Sequence, residues 1–152
     1  FRNNRLITGH IGDSRVYRFR ANKLEQITKD HSFVQELIDQ GIYTKDEARA
    51  SKRKNIVTRA LGVAPKVEVE VNEHQVNVGD IYLMCSDGLT DLVVDSNIES
   101  SLRELSSNLG AAAGHLVNLA NASGGKDNIS VVLCRVRQSF PDEDGRVSKV
   151  LS

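Results

Sequence analysis

Cysteine is scarce in this sequence, net charge is absent, and no apolar run is long. Two cysteines in 152 residues, Cys85 and Cys134, do not make a disulfide framework. Both sit inside apolar runs, where a buried reduced thiol is the ordinary state. Neither begins a Cys-x-x-Cys pair, and neither is followed six residues on by Arg, which excludes a thiolate phosphatase loop. The 20 basic and 20 acidic side chains cancel, so no general basic surface exists for phosphate backbones and nucleic acid is excluded as an expected partner. The longest apolar runs, Ile81 to Cys85 and Ile129 to Cys134, fall far short of the roughly 20 residues that span a bilayer. No membrane segment is expected, and the cytoplasm is the natural compartment. The chain starts at Phe1 without Met or a signal-like leader, and the expectation is a piece of a longer protein.

What is present reads as a folded α+β chain, 39% hydrophobic and 26% charged. Leu6, Ile7 and Ile11 form an apolar run broken by Gly9. Tyr17 and Phe19 alternate with Arg18 and Arg20, as a half-exposed strand requires. Ala21-Asn22-Lys23 turns the chain, and Leu24 to Thr28 return as a hairpin partner. Ser32 with Gln35, and Thr44 with Glu47, have the spacing of capping boxes. They predict one helix carrying Phe33, Val34, Leu37 and Ile38 on one face, stopped by Gly41, and a second from Lys45 to about Ala50.

The cluster Lys52-Arg53-Lys54 follows, either a solvated helix end or an anion contact. Val67, Val69 and Val71 alternate with Glu68 and Glu70, predicting an amphipathic strand with the valines inward. Ile81 to Cys85 reads as a strand buried on both faces. Helices are expected over about Ser96 to Leu105 and Ala111 to Ala122, with a last strand over Ile129 to Val136. From Gln138 to Ser152 no period is sustained, so a tail or linker is expected. Strands, helices, strands, helices and a strand, in that order, favour mainly antiparallel sheet covered by helices.

Three short motifs put a carboxylate beside the end of a buried strand. They are Gly12-Asp13-Ser14-Arg15, Ser86-Asp87-Gly88 and Gly124-Gly125-Lys126-Asp127-Asn128. Each Asp-Gly or Gly-Asp by itself is commonly a turn. Three carboxylates brought together would repel and need a positive partner. Arg15 and Lys126 could each serve one; a hard cation such as Mg²⁺ or Mn²⁺ would serve all three. His10, His31, His74 and His115 lack zinc-ligand spacing, and hydrogen-bonded structural roles are expected for His10 and His31.

Five segments in order carry a resemblance. They are His10-Ile11-Gly12-Asp13-Ser14-Arg15, Thr28-Lys29-Asp30-His31-Ser32, Asn55-Ile56-Val57-Thr58-Arg59-Ala60-Leu61-Gly62, Cys85-Ser86-Asp87-Gly88-Leu89-Thr90-Asp91 and Gly124-Gly125-Lys126-Asp127-Asn128-Ile129-Ser130. Together, from Phe1 to about Val136, they resemble the C-terminal part of a bacterial metal-dependent protein phosphatase of the PPM (protein phosphatase 2C) family. The resemblance implies a four-layer α/β/β/α sandwich of mainly antiparallel sheets, present here without its N-terminal portion. The domain would then cover 1–137, with a flap over about 33–59 and a tail over 138–152.

The resemblance further implies a binuclear Mn²⁺ or Mg²⁺ centre with Asp87 and Asp127 as ligands, through which both act in catalysis, and Asp13 at a third, weaker metal. Lys52-Arg53-Lys54 would help meet phosphoprotein substrates. The implied activity is hydrolysis of phosphoserine or phosphothreonine by a metal-activated water, in a bacterial system whose other member is a Ser/Thr kinase. The family's N-terminal phosphate-gripping Arg and metal-bridging Asp have no counterpart in this chain. It is therefore expected to be inactive alone and, if its first strands pair outside it, prone to aggregate. Two alternatives stay open: a non-catalytic phosphatase-like interaction module, and an α+β domain whose Asp-Gly turns are structural.

Overall fold

The computed structural model describes residues 1–51, 53, 56–63 and 65–140. Lys52 and Lys54 of the basic cluster, Asn55 of the third segment, and residues 141–152 of the expected tail lie outside the described residues.

Two antiparallel sheets form the frame. The strands are β1 (Arg5–His10), β2 (Arg15–Arg20), β3 (Lys23–Gln26), β4 (Glu70–Gln75), β5 (Ile81–Cys85) and β6 (Val131–Arg135). Strands β1 and β4 make a two-stranded sheet, and the other four a sheet of order β3-β2-β5-β6. The helices are α1 (Phe33–Asp39), α2 (Lys45–Ala50), α3 (Asp87–Thr90), α4 (Asp95–Leu105) and α5 (Leu109–Ala122). The one-turn helix α3, where sequence gave only a turn, was not expected.

Period-two alternation sorts the side chains of the larger sheet. Tyr17, Phe19, Ile81, Leu83 and Cys85 face the helices and pack with Leu89, Ile98, Leu102, Ala112 and Leu116. From the opposite face, Tyr82 joins Val76 and Val136, with Leu6 of β1 packed against them. Helices therefore cover one face of the larger sheet, and the smaller sheet meets the other. Strand β5 is buried except at Met84, which is 40% exposed and pairs across the ladder with Val132, 55% exposed.

The register gives two results. Strands β1 and β2 find their partners inside the chain: β1 on β4, and β2 on β3 and β5. The valine strand begins at Glu70 rather than Val67, and its polarity is inverted. Residues Leu6, Thr8 and His10 lie opposite His74, Asn72 and Glu70, on the face turned to the larger sheet. Ile7 and Val71 lie on the other face, 57% and 64% exposed. Glu70 turns inward because its carboxylate has partners there, His31 and Asn72.

Between β3 and β4 the chain runs out through α1 and α2 and returns. The base of the excursion is an antiparallel bridge of Ser32 with Val57, closed by Phe33 N–H donating to Ile56 (2.9 Å) and Thr58 N–H donating to His31 (2.8 Å). At α2 the capping box is complete, with Thr44 and Glu47 bonded reciprocally. At α1 only half of it forms. Ser32 accepts from the Gln35 amide, but the Gln35 side chain donates to Asp39. At the far end of the chain, the Phe140 N–H donates to Asn4 Oδ1 at 2.6 Å and its ring stacks on Phe1.

Among the described residues no helix is long and apolar enough to cross a membrane.

Candidate metal centre

The three aspartate motifs meet because their strands end together. In the register of the larger sheet, Arg15 is opposite Cys85, and Cys85 is opposite Val131. The loop before β2, the turn after β5 and the loop before β6 therefore lie at one end of the sheet, bringing Asp13, Asp87 and Asp127 to one place.

The last two are tied together through Ser86, by its hydroxyl and its backbone. Ser86 Oγ donates to the Asn128 carbonyl at 2.8 Å and accepts from Ser130 N–H at 3.0 Å. Ser86 N–H donates to the Ser130 carbonyl at 3.1 Å. Asp87 opens α3 and accepts from the Gly88 amide at 2.8 Å; Asp127 accepts from the Asn128 amide at 2.6 Å.

Burial raises the Asp87 carboxyl above the usual range, and the charges of Asp13, Asp127 and Asp91 push it further in the same direction. Among the described residues no Lys or Arg forms an ion pair with Asp13, Asp87 or Asp127 to supply positive charge. Arg15, a candidate to supply it, is committed elsewhere. Its Nε is 3.0 Å from both Asp30 oxygens, a terminal nitrogen donates to Asp30 at 2.7 Å, and the other donates to Tyr17. The Tyr17 hydroxyl in turn donates to Asp95 at 3.0 Å. Carboxylate oxygens gathered in this way are a donor set suited to Mg²⁺ or Mn²⁺. No thiol competes for this role, because burial pushes the Cys85 thiol up to about 12.

Beside these carboxylates lies a cavity of about 280 Å³, roofed by α1 and α2. Asp13, Asp87 and Asp91 line its floor, and Lys45 and Arg49 line the α2 side. Asp127 stands outside this lining, on the exposed rim. Arg49 ties the roof to the floor by donating to the Thr90 carbonyl at 3.2 Å. Of the basic cluster, Arg53 lies over the Phe33 ring, 5.8 Å from its centroid.

The chain matches no protein-family model. It is 42% identical over 130 residues to the serine/threonine phosphatase Stp of Listeria welshimeri, covering 86% of this chain and 51% of that protein. It is 42% identical over 136 residues to PstP of Mycobacterium tuberculosis, covering 90% of this chain and 26% of that one. The crystal structure of the M. tuberculosis PstP superimposes with a TM-score of 0.85 at 40% identity, over 91% of this chain and 57% of that chain. Over most of its length the chain is thus similar to bacterial PPM serine/threonine phosphatases. The chain spans about half the length of the Listeria protein it matches. A structure of the PstP catalytic domain in complex with two manganese ions also superimposes, with a TM-score of 0.80 at 41% identity.

All three aspartates singled out in the sequence come to one sheet end, and His10 and His31 are hydrogen-bonded as expected. Sequence reading missed that His10, His31 and Glu70 converge, each offering one donor atom within 4.8 Å of the others. Their separations of 21 and 39 positions fit no local ligand pattern. The signal that could have found them is the pairing of β1 with β4, which sets His10 opposite Glu70.

Proposed function

We propose that this chain is the C-terminal part of a PPM-type protein phosphatase, with the catalytic domain over 1–137, the flap over about 33–59 and a tail from 138. The protein that contains it hydrolyses phosphoserine and phosphothreonine in phosphoproteins, as one arm of a signalling system whose other arm is a Ser/Thr kinase. Asp87 and Asp127 hold the main Mn²⁺ or Mg²⁺ centre, and Asp13 holds a third, weaker ion. The observation that carries this reading is the convergence of three aspartates at one sheet end, with Asp87 raised by burial and by its acidic neighbours. The coverage of about half of the Listeria relative supports a further part of the reading: the remaining ligands lie in the other half, so the chain alone hydrolyses little.

The chain's own residues have definable tasks. The Ser86 hydroxyl, bonded to the Asn128 carbonyl and the Ser130 amide, helps fix the separation of Asp87 from Asp127. Lys45 and Arg49 face the carboxylate floor from α2 and offer positive charge to a phosphorylated side chain entering the cavity. Divalent ions held there supply Lewis acidity, which lowers the pKa of a water and neutralises charge on the phosphoryl group. The inert Cys85 fits direct attack by water, without a covalent enzyme intermediate.

The test is Mn²⁺-dependent release of phosphate from a phosphothreonine peptide by the chain joined to its natural upstream sequence. Asp87→Asn and Asp127→Asn are each expected to abolish it. Full activity in either variant would overturn the metal assignment.

A further inference from the structure

Asp13 sits on a turn held from both sides by histidines. Gly12 has φ of +102°, a conformation that L side chains rarely adopt. Its amide donates to His31 Nδ1 at 3.1 Å, and its carbonyl accepts from the His31 amide at 2.8 Å. On the other side, His10 Nε2 is 2.7 Å from the Ser14 carbonyl. Asp13 is the one residue between these two anchored peptides.

Proton positions follow from the partners. A carbonyl only accepts, so His10 Nε2 carries the hydrogen. An amide only donates, so His31 Nδ1 is bare and Nε2 carries the hydrogen, which it gives to Glu70 at 3.0 Å. Glu70 thereby selects the tautomer of His31 that can receive Gly12. With Nε2 protonated and Nδ1 taken by the Gly12 amide, His31 has no nitrogen left to ligate a metal, so Glu70, His31 and Gly12 form a hydrogen-bond relay with His10 packed beside it, not a zinc site.

The histidine pair has a cost that packing alone does not explain. His10 is 7% exposed, and its Nδ1, bare in the neutral ring, has no partner among the described residues. An apolar side chain would remove that orphan acceptor. What it could not do is hold the Ser14 carbonyl.

We propose that His10 and His31 are positioning residues for Asp13, with Glu70 setting the tautomer of His31. They aim the carboxylate toward the shared metal centre by fixing the peptides on either side of it. This rests on the reading of Asp13 as the ligand of the third, weaker ion.

The experiment is a Mn²⁺ titration, followed by electron paramagnetic resonance of the free ion, on the chain joined to its natural upstream sequence. Thermal unfolding without metal runs in parallel. Asp13→Asn is the reference. His10→Leu, His31→Leu and Glu70→Ala are each expected to weaken the weakest Mn²⁺ site about 10- to 100-fold, as loss of a ligand-orienting partner does. His10→Gln, whose amide nitrogen replaces Nε2, and His31→Asn, whose oxygen replaces Nδ1, are expected to restore it. His10→Leu is expected to leave the metal-free unfolding temperature unchanged or raised, which separates aiming from folding. Glu70 is partly exposed, so Glu70→Ala remains informative if a leucine variant fails to fold.

If the leucine and alanine variants bind Mn²⁺ like the wild type while Asp13→Asn does not, the positioning role is overturned and Asp13 keeps its place. If Asp13→Asn itself binds like the wild type, both the ligand reading of Asp13 and the positioning role fall.

Discussion

Gly88 packs so closely on Asn128 that a β-carbon added to it would lie 2.4 Å from the Asn128 carbonyl oxygen and 2.9 Å from its carbonyl carbon. The residue after Asp87 thus touches the residue after Asp127, backbone against backbone. Glycine is required at 88 for this close approach and not for its dihedral angles. The contact sets the spacing of the two aspartates with no side chain able to yield.

Gly88→Ala must therefore push the Asn128 peptide away. Overpacking of this kind costs about 1–3 kcal/mol, and here the displaced peptide carries Asp127. The expected outcome is a fall in Mn²⁺ affinity, read by calorimetry, that exceeds what the loss of stability in urea explains. Normal Mn²⁺ affinity in a destabilised variant would show that the contact serves folding alone.

Asp87 yields a prediction about the metal-free protein. Its folded pKa is raised by burial and by the charges of Asp13, Asp127 and Asp91. A raised carboxyl favours folding while protonated and opposes it once ionised, so stability is lost as pH rises through the folded value. Asp87→Asn is expected to unfold at a higher temperature than the wild type at neutral pH without metal, with the gap closing below about pH 4, the ordinary Asp range. Mn²⁺ at 100 times its dissociation constant should add about 2.7 kcal/mol to the wild type and far less to the variant. An Asn variant less stable than the wild type in the absence of metal would contradict this account of the charge cluster.

How much of this could be read in advance depended on the reach of each interaction. Local signals held: Tyr17 and Phe19 alternate into the core, Thr44 and Glu47 cap α2, and Gly41 stops α1 with φ of +70°. The three aspartates were legible as turn residues beside buried strands. That they share one end follows from ladder register, which needs all three strands at once. Polarity of β4 was misread because Val69 and Val71 outvote Glu70 in a hydrophobic count. What turns Glu70 inward is His31, 39 positions away. The commitment of Arg15 to Asp30 was invisible for the same reason: sequence gives the charges near a site but not which of them are already paired.

The ion pair of Arg20 with Asp80 gives a prediction whose sign reverses with one substitution. Asp80 is 1% exposed. Burial alone would raise its carboxyl, but Arg20, at 2.7 and 2.6 Å, and the Asn77 amide, at 2.8 Å, hold it below the usual range. A depressed carboxyl stabilises the fold above its unfolded pKa, and that contribution is lost as pH falls through the folded value. Arg20→Met leaves the carboxylate buried without its cation, costing about 3–5 kcal/mol. Its Asp80 should then prefer the protonated form, so the variant loses stability as pH rises toward 7 while the wild type gains it. Urea unfolding between about pH 3 and 7 checks both slopes, and parallel curves would refute the pairing as the cause.

Arg49 joins the α1–α2 excursion to the aspartate side of the cavity. Its guanidinium donates to the Thr90 carbonyl at the end of α3, and it is exposed, so the bond competes with water. Such a bond contributes about 1 kcal/mol, worth roughly fivefold in an opening equilibrium. Arg49→Met keeps the apolar stem and removes the donor. Amide hydrogen exchange should then quicken about fivefold in α1 and α2, while the amides of β5, in the centre of the larger sheet, keep their protection. Local quickening of that kind would show that α1 and α2 open as a unit, hinged where Ser32 pairs with Val57. Equal quickening in α2 and β5 would instead mean that α1 and α2 unfold only with the whole domain, and the cavity beneath them could not be entered by lifting its roof.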